Sequence, residues 1–447
     1  MKNLTPLAIS FINKNKDVIE ACDSDYAFEK MFKKAYDFGG RELARELREI
    51  FCEAEIYPSS INLSTKGLKS YMNYFKFHPV GQGLFYTGQL ANSCYNFVYD
   101  CGSEEQKTYI ENSIESFKNS IQEYCNDMSK IDCVFISHLH YDHFSGLQRL
   151  IRSFKIEKLF LPYIGWDKDF IQLILAYEIF CEKEDLELQS SDDARGLFRI
   201  LSTIYIEKGW DTISEIIFTE SDNSTTENGN TYSYNSFSVN LEKNDYWNFV
   251  WFNKRIDDEK LKSFADKVKA KLNELKIESI EDLINQNAFD VIKQIYIGVF
   301  GNNLNVTSTV LLHYPSFNPL SLRTNAYNTN AKTIDYINLL RKRNSKNNFF
   351  TMLTGDAEID DYIKNQISKH FDFDKESISI LQVPHHGAKD NWNKLKKLEA
   401  NVDVYVISYG LGNTYHHPNK TVVNSIMEKE KPLFSVNQTS CMDYYIY

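Results

Sequence analysis

His138-Leu139-His140-Tyr141-Asp142-His143 concentrates four side chains able to ligate a metal within six residues. If the stretch is extended, His138 and His140 point the same way, because side chains alternate along a strand with a period of two. Asp142 and His143 follow closely enough to reach a neighbouring ion. Neutral imidazoles supply nitrogen ligands, and carboxylates bind or bridge cations while offsetting their charge. The spacing differs from the helical His-Glu-x-x-His of zinc proteases, since neither histidine precedes the glutamate that such a mechanism needs. A hydrogen-bonded turn or a solely structural zinc site would use similar residues. Further candidate ligands recur at later strand ends, and that recurrence points to catalysis.

Working outward, Asp132-Cys133-Val134-Phe135-Ile136-Ser137 reads as a short buried strand feeding the cluster, and Phe144 onward as the start of a helix. Upstream, Tyr95 to Ser103 reads as a strand ending in a polar turn that contains Asp100, followed by a helix from Glu105 to about Cys125. Another strand is expected over 157–162 and a helix over 168–184. In the last third, Phe349 to Thr354 leads into Gly355-Asp356, Ile378 to Val383 into Pro384-His385-His386-Gly387, and Val402 to Ser408 into a glycine turn and His416-His417-Pro418. Three strands ending near polar clusters predict one site at a common sheet edge, where a rigid sheet holds reactive side chains on loops.

Between these halves, Thr219 to Asn230 is rich in Ser, Thr, Asn and Glu and is expected to be an exposed loop. A strand pair near 232–252 and helices over 258–275 and 279–297 follow, so residues of approximately 219–300 read as an insertion. Residues 22–56 show helical spacing broken at Gly39-Gly40. The expected organisation is an N-terminal helical extension over 1–76 and a single main domain over 77–447 that includes the insertion.

With 447 residues, 43% of them hydrophobic, 14% aromatic and 9 prolines, the chain reads as folded throughout. A formal net charge of -11 argues against coating nucleic acid by bulk positive charge, though not against a local basic groove. The apolar stretch from Leu7 to Ile12 is too short for a secretory signal, and no run approaches the roughly 18 apolar residues that span a bilayer. No membrane-spanning segment and a cytoplasmic location are therefore expected. The eight cysteines show no paired CxxC spacing and read as reduced thiols.

These motifs together resemble the metallo-β-lactamase superfamily, and are most similar to the hydrolase domain associated with bacterial competence and DNA-uptake channels. The resemblance rests on Asp100-Cys101-Gly102, the HxHxDH element at 138–143, Thr354-Gly355-Asp356 and Val383-Pro384-His385-His386-Gly387. It is supported by Val80-Gly81-Gln82-Gly83 and by Asn413 to Pro418. It implies an α/β fold, a four-layer αββα sandwich, here with an N-terminal helical extension and a partly helical central insertion. It also implies two divalent metal ions, zinc or alternatively manganese, at one edge of the sheets. His138 and His140 would hold the first ion, Asp142 and His143 the second, and Asp356 would bridge them. His385 is the preferred late ligand to the second ion, with His386 as the other candidate or a substrate-orienting group. Asp100 would orient a ligand through hydrogen bonds.

One departure stands out. The common family arrangement places another histidine for the first metal between the HxHxDH loop and the bridging aspartate, and here that interval holds only His313. His313 is either a satisfied histidine of a sheet or a ligand, which leaves the occupancy of the first metal site open.

Two metals would supply a metal-activated hydroxide for in-line attack, with Asp356 holding it and helping to receive its proton. His417 and Asn413 form a candidate substrate-side pair, although a turn before Pro418 would also use an asparagine there. The expected activity is that of a phosphodiesterase or nuclease acting on nucleic acid or a small nucleotide. The ligand set alone leaves β-lactamase-like and thioesterase-like hydrolysis open, as well as a metal-containing regulatory or protein-interaction module with little turnover. The helical extension or the insertion is the candidate surface for a protein partner.

Overall fold

The computed structural model describes residues 73–90, 94–124, 129–138, 140–162, 213–219, 224–227, 230–233, 235–241, 245–254, 258–276, 308–316, 321–328, 333–340, 349–398 and 400–446, with isolated positions within 11–47 and 291–299. The helices expected over 22–56, 168–184 and 279–297 lie outside these residues or are touched only at single positions.

The described elements begin with strands β1 (Asn73–Phe77), β2 (Phe85–Leu90) and β3 (Tyr95–Cys101), helix α1 (Lys107–Tyr124) and strand β4 (Lys130–Phe135). Two short helices, α2 (Tyr141–Phe144) and α3 (Leu147–Ser153), lead to β5 (Lys155–Pro162). Then come β6 (Ile213–Thr219), β7 (Ser224–Glu227), β8 (Asn230–Ser233), β9 (Ser236–Asn240), β10 (Tyr246–Phe252) and α4 (Asp258–Glu274). The last part comprises β11 (Val310–Pro315), β12 (Ser321–Asn328), β13 (Thr333–Leu340), β14 (Phe350–Leu353), α5 (Asp361–Ile367) and β15 (Ser377–Gln382). It ends with α6 (Lys389–Leu395), β16 (Asn401–Ser408), α7 (Lys420–Met427), β17 (Leu433–Val436) and β18 (Ser440–Ile446).

Among the described residues these strands form two large sheets. One runs β13-β12-β18-β1-β2-β3-β4-β5-β6, the other β17-β16-β15-β14-β11-β10-β9. Each is mixed: β3 to β6 are parallel in the first, β14 to β17 in the second, and the remaining pairs are antiparallel. Among the parallel strands, β15 is buried along its whole length, as expected where both faces are covered.

Residue alternation shows what covers them. Along β10, Trp247, Phe249 and Trp251 face the cluster shared by the two sheets, while Val250 and Phe252 join the cluster that contains Ile363 of α5, Trp392 of α6 and Val422 of α7. Phe97 and Tyr99 of β3 face that same shared cluster, and Val98 packs instead with Ile110, Ile114, Phe117 and Ile121 of α1. Full burial of each such side chain is worth about 1.5–3 kcal/mol, so this aromatic seam is a main source of cohesion between the sheets.

Within the expected exposed loop over Thr219 to Asn230, the described residues Ser224–Glu227 form a strand rather than irregular backbone. β7 and β8 pair antiparallel with Glu227 opposite Asn230, on either side of Asn228-Gly229. Asn-Gly is a strong signal for a tight hairpin, and Thr225 and Thr226 are β-branched, so local propensity outweighs the polar composition. The strand pair near 232–252 is present as β9 and β10, and both belong to the second sheet. Among the described residues no helix is long and apolar enough to cross a membrane.

Candidate metal centre

Five segments reach one place because the strands before them are parallel within their sheets. β3 carries Asp100, β4 leads to Ser137 and His138, β14 to Asp356, β15 to His385 and His386, and β16 to the loop with His417. The carboxyl ends of parallel strands are where α/β sheets gather ligand-binding groups.

Asp100 is fully buried and sits in the left-handed region at φ 57, a conformation that aspartate tolerates better than most residues. Its Oδ1 accepts from the Ser137 backbone N–H at 2.6 Å, and its Oδ2 accepts from Ser137 Oγ at 2.6 Å and His143 Nδ1 at 2.7 Å. Next to it, Gly102 lies so close to the backbone of Asp142 and His143 that a Cβ would not fit. These contacts bind the end of β3 to the HxHxDH loop.

The tautomers follow from the partners of the outer ring nitrogens. His143 Nδ1 faces the Asp100 carboxylate, and His386 Nδ1 donates to the Ser408 carbonyl at 2.8 Å. His138 Nδ1 meets Ser137 Oγ at 3.0 Å, whose own hydrogen goes to Asp100. In the neutral rings each Nε2 therefore presents a lone pair to the interior. Those lone pairs converge on carboxylates: His143 Nε2 is 3.2 Å from Asp356 Oδ1, His138 Nε2 is 3.6 Å from Asp356 Oδ2, and His386 Nε2 is 2.8 Å from Asp142 Oδ2.

Lone pairs do not attract carboxylate oxygens, so the gap calls for positive charge. His138 Nε2, His143 Nε2 and Asp356 Oδ1 are buried without a hydrogen-bond partner, a costly arrangement for three groups in one cluster unless a cation completes it. Three ligand groups, each with its atoms mutually within 4.8 Å, are His138-His140-Asp356, His138-Asp142-His143 and His143-Asp356-His386. The donor set of imidazole nitrogens and carboxylate oxygens suits divalent metal ions.

The electrostatics agree. Burial works to raise the Asp356 pKa, but His143, His138, His386 and His385 outweigh it and hold the carboxyl well below its usual range. Burial works to lower that of His143, and Asp142, Asp356 and Asp100 reverse it, pushing the imidazole well above its usual range. A buried trio of carboxylates is demanding the charge that a metal would bring.

Residues 95–159 match the Metallo-beta-lactamase superfamily model. The matched segment runs from β3 to β5 and contains Asp100 and the whole HxHxDH loop, and the two large sheets are consistent with the metallo-β-lactamase fold. That superfamily consists mostly of metal-dependent hydrolases. Among solved structures, the chain is similar to a chemotaxis sensor ODP in its peroxy diiron species, with 12% identity over 40% of this chain and 49% of that one at a TM-score of 0.19. It is also similar to an archaeal metallo-β-lactamase superfamily protein from Sulfolobus tokodaii, with 14% identity over 40% of this chain and 55% of that one at a TM-score of 0.20. The chain thus spans about half the length of each. No curated protein matches it.

Beyond the metallo-β-lactamase-like segment, the structure sorts the remaining candidates. His386 enters the buried cluster, whereas His385 is 32% exposed with its Nε2 at 3.6 Å from Asp356 Oδ2. His313 is not brought to the cluster's ligand groups: Trp247 Nε1 donates to its Nδ1 at 3.3 Å and its Nε2 meets Tyr86 Oη at 2.8 Å, within an aromatic core. Asn413 uses its amide on its own loop, donating to the carbonyls of Gly410 and His417 at 2.7 and 2.6 Å and accepting from the His417 N–H at 3.0 Å. It braces His417. The His417 ring lies 5.5 Å from that of His385, its Nδ1 is buried without a partner, and burial together with His385 and His386 lowers its pKa to about 4.

Three contributors escape motif reading. Ser137 links Asp100 to His138, and the available signal is its place directly before the first histidine. Gln382 accepts from the Thr354 N–H at 2.7 Å and donates to the Gly355 carbonyl at 3.2 Å, tying the Asp356 turn to the next strand end. A glutamine at the end of the buried strand Ser377–Gln382 is its trace. Asn391 bonds His385 Nδ1 at 3.1 Å and the Asp356 carbonyl at 2.9 Å, and its sequence carries no such signal.

Proposed function

We propose that the protein is a two-metal phosphodiesterase in which His138, His140 and Asp356 hold one ion and Asp142, His143, His386 and Asp356 the other. The observation that carries this reading is the clustering of the partnerless His138 Nε2, His143 Nε2 and Asp356 Oδ1 in ligand groups whose atoms lie within 4.8 Å of one another. The two oxygens of Asp356 face different histidines, Oδ1 towards His143 and Oδ2 towards His138, which is the disposition of a bridging carboxylate. Zinc or manganese suits the mixed nitrogen and oxygen donors. Bound metals acidify water and neutralise charge that builds on a phosphoryl group.

The chain's own residues then have distinct tasks. Asp100 fixes the tautomer and angle of His143, and Ser137 does the same for His138. Asp356 would hold the attacking water and help to receive its proton. His385, half-exposed beside Asp356, and His417 line the substrate side. With its pKa lowered to about 4, first by burial and then by His385 and His386, His417 is neutral at pH 7 and acts as a hydrogen-bond donor to phosphoryl oxygen rather than as the acid.

A net charge of -11 favours a strand end or a small nucleotide over indiscriminate duplex processing. The architecture in this reading is a four-layer αββα sandwich of the competence-associated type, with the segment before β1 or part of 219–300 as the surface for a protein partner in the cytoplasm. The test is purification with metal analysis, followed by assays on single-stranded DNA, duplex DNA, RNA, cyclic dinucleotides and a generic phosphodiester with zinc or manganese. Full metal content with cleavage of amides or thioesters but no phosphodiester would overturn it.

A further inference from the structure

Two exposed tyrosines belong to loops that also carry histidines at or beside the candidate metal centre. Tyr141 lies inside the HxHxDH loop at 37% exposure, and Tyr415 lies in the loop after β16 at 55%. Among the described residues only a handful of large apolar side chains stand out from the surface, so two on these loops call for an explanation. Tyr415 is also ordered by its surroundings. Its ring is nearly parallel to that of His417, with 6.2 Å between centroids and 16° between planes, and its hydroxyl donates to Glu104 Oε1 at 3.3 Å. The Asn413 brace holds the backbone of the same loop. A series of contacts thus leads outward from Asp356 to His385, then to His417, then to Tyr415.

We infer that Tyr415 is a stacking platform for the nucleobase adjoining the scissile phosphodiester, so that the site selects base-bearing substrates. This rests on the phosphodiesterase reading and adds the part of the substrate that the metals do not touch. Charge decides which part meets Tyr415. Glu104 is bonded to its hydroxyl, and Glu105 lies against Gly410 in the same loop, so these carboxylates repel a phosphate there and leave the flat, uncharged base as the partner. Every base has a π-face, so such a platform favours nucleotides without reading sequence. The partnerless Nδ1 of His417 points to a ligand group beside the platform.

The experiment compares the metal-loaded wild type with Tyr415→Ala and Tyr415→Trp on a dinucleotide and on the same phosphodiester lacking its bases. In parallel, calorimetry compares adenosine monophosphate with ribose phosphate. The wild type is expected to favour the base-bearing ligand about tenfold in KM and in affinity, Tyr415→Ala to bring that ratio close to one, and Tyr415→Trp to keep it. Circular dichroism verifies that the variants fold. Equal wild-type affinity for adenosine monophosphate and ribose phosphate, or a preference that survives Tyr415→Ala, overturns the platform. If the wild type cleaves neither phosphodiester, the phosphodiesterase reading fails by itself, and the calorimetric preference still decides the role of Tyr415.

Discussion

His386 Nε2 and Asp142 Oδ2 meet at 2.8 Å although 244 residues separate them, one following a strand of the second sheet and the other a strand of the first. His386 donates its Nδ1 hydrogen to the Ser408 carbonyl, so in its neutral form it offers Asp142 a lone pair. The contact is stable only with a proton or a cation present. It joins the two halves of the proposed centre and sets the first prediction.

His386→Ala is expected to lower bound metal from two ions towards one, read by elemental analysis after gel filtration. His385→Ala is expected to keep the wild-type stoichiometry, because His385 belongs to none of the tight ligand groups. The reverse pattern would assign the late ligand to His385.

Asp356→Asn keeps the shape of the side chain and removes the charge that faces His138 and His143. Turnover is expected to fall by more than the roughly 10- to 100-fold typical of outer-sphere partners, with metal content also reduced. Near-normal turnover in a folded variant would reject the bridging role.

Asp100 touches no proposed substrate, yet it accepts three hydrogen bonds at 2.6–2.7 Å. Asp100→Asn is expected to weaken zinc binding about 10- to 100-fold through misorientation of His143. Titration of the chelated protein with zinc alone measures this, and unchanged affinity would leave Asp100 with a purely architectural role.

His313 gives a pH prediction away from the metals. Burial lowers its pKa to about 3, against about 6.5 in an unfolded chain. Between those values the unfolded state binds a proton that the folded state refuses, so this contribution is fully present above about pH 6.5 and is lost as pH falls towards 3. Within the window, wild-type stability should fall by up to about 1.4 kcal/mol more per pH unit than that of His313→Phe. Urea unfolding of chelated protein at several pH values provides the slopes, and parallel slopes would sink the prediction.

The HxHxDH cluster, Asp100, Asp356 and the late histidine pair stand out in the linear chain because metal ligation demands rare side chains at short spacing. Strands ending at polar clusters follow from the same text, because apolar runs and the turns behind them are local properties. Tertiary structure had to place His385 and His386. The backbone passes through φ 50 and φ 51 at these residues, leaving the His385 side chain 32% exposed beside Asp356 and His386 buried against Asp142, a difference that their order after the strand does not carry. It had to place His313 too, since only the partners Trp247 and Tyr86 reveal that both ring nitrogens are occupied. Residues 138–143 announce a metal. What they cannot encode is which distant lone pairs are left without partners around it, because that depends on long-range packing of two sheets rather than on neighbours in the chain.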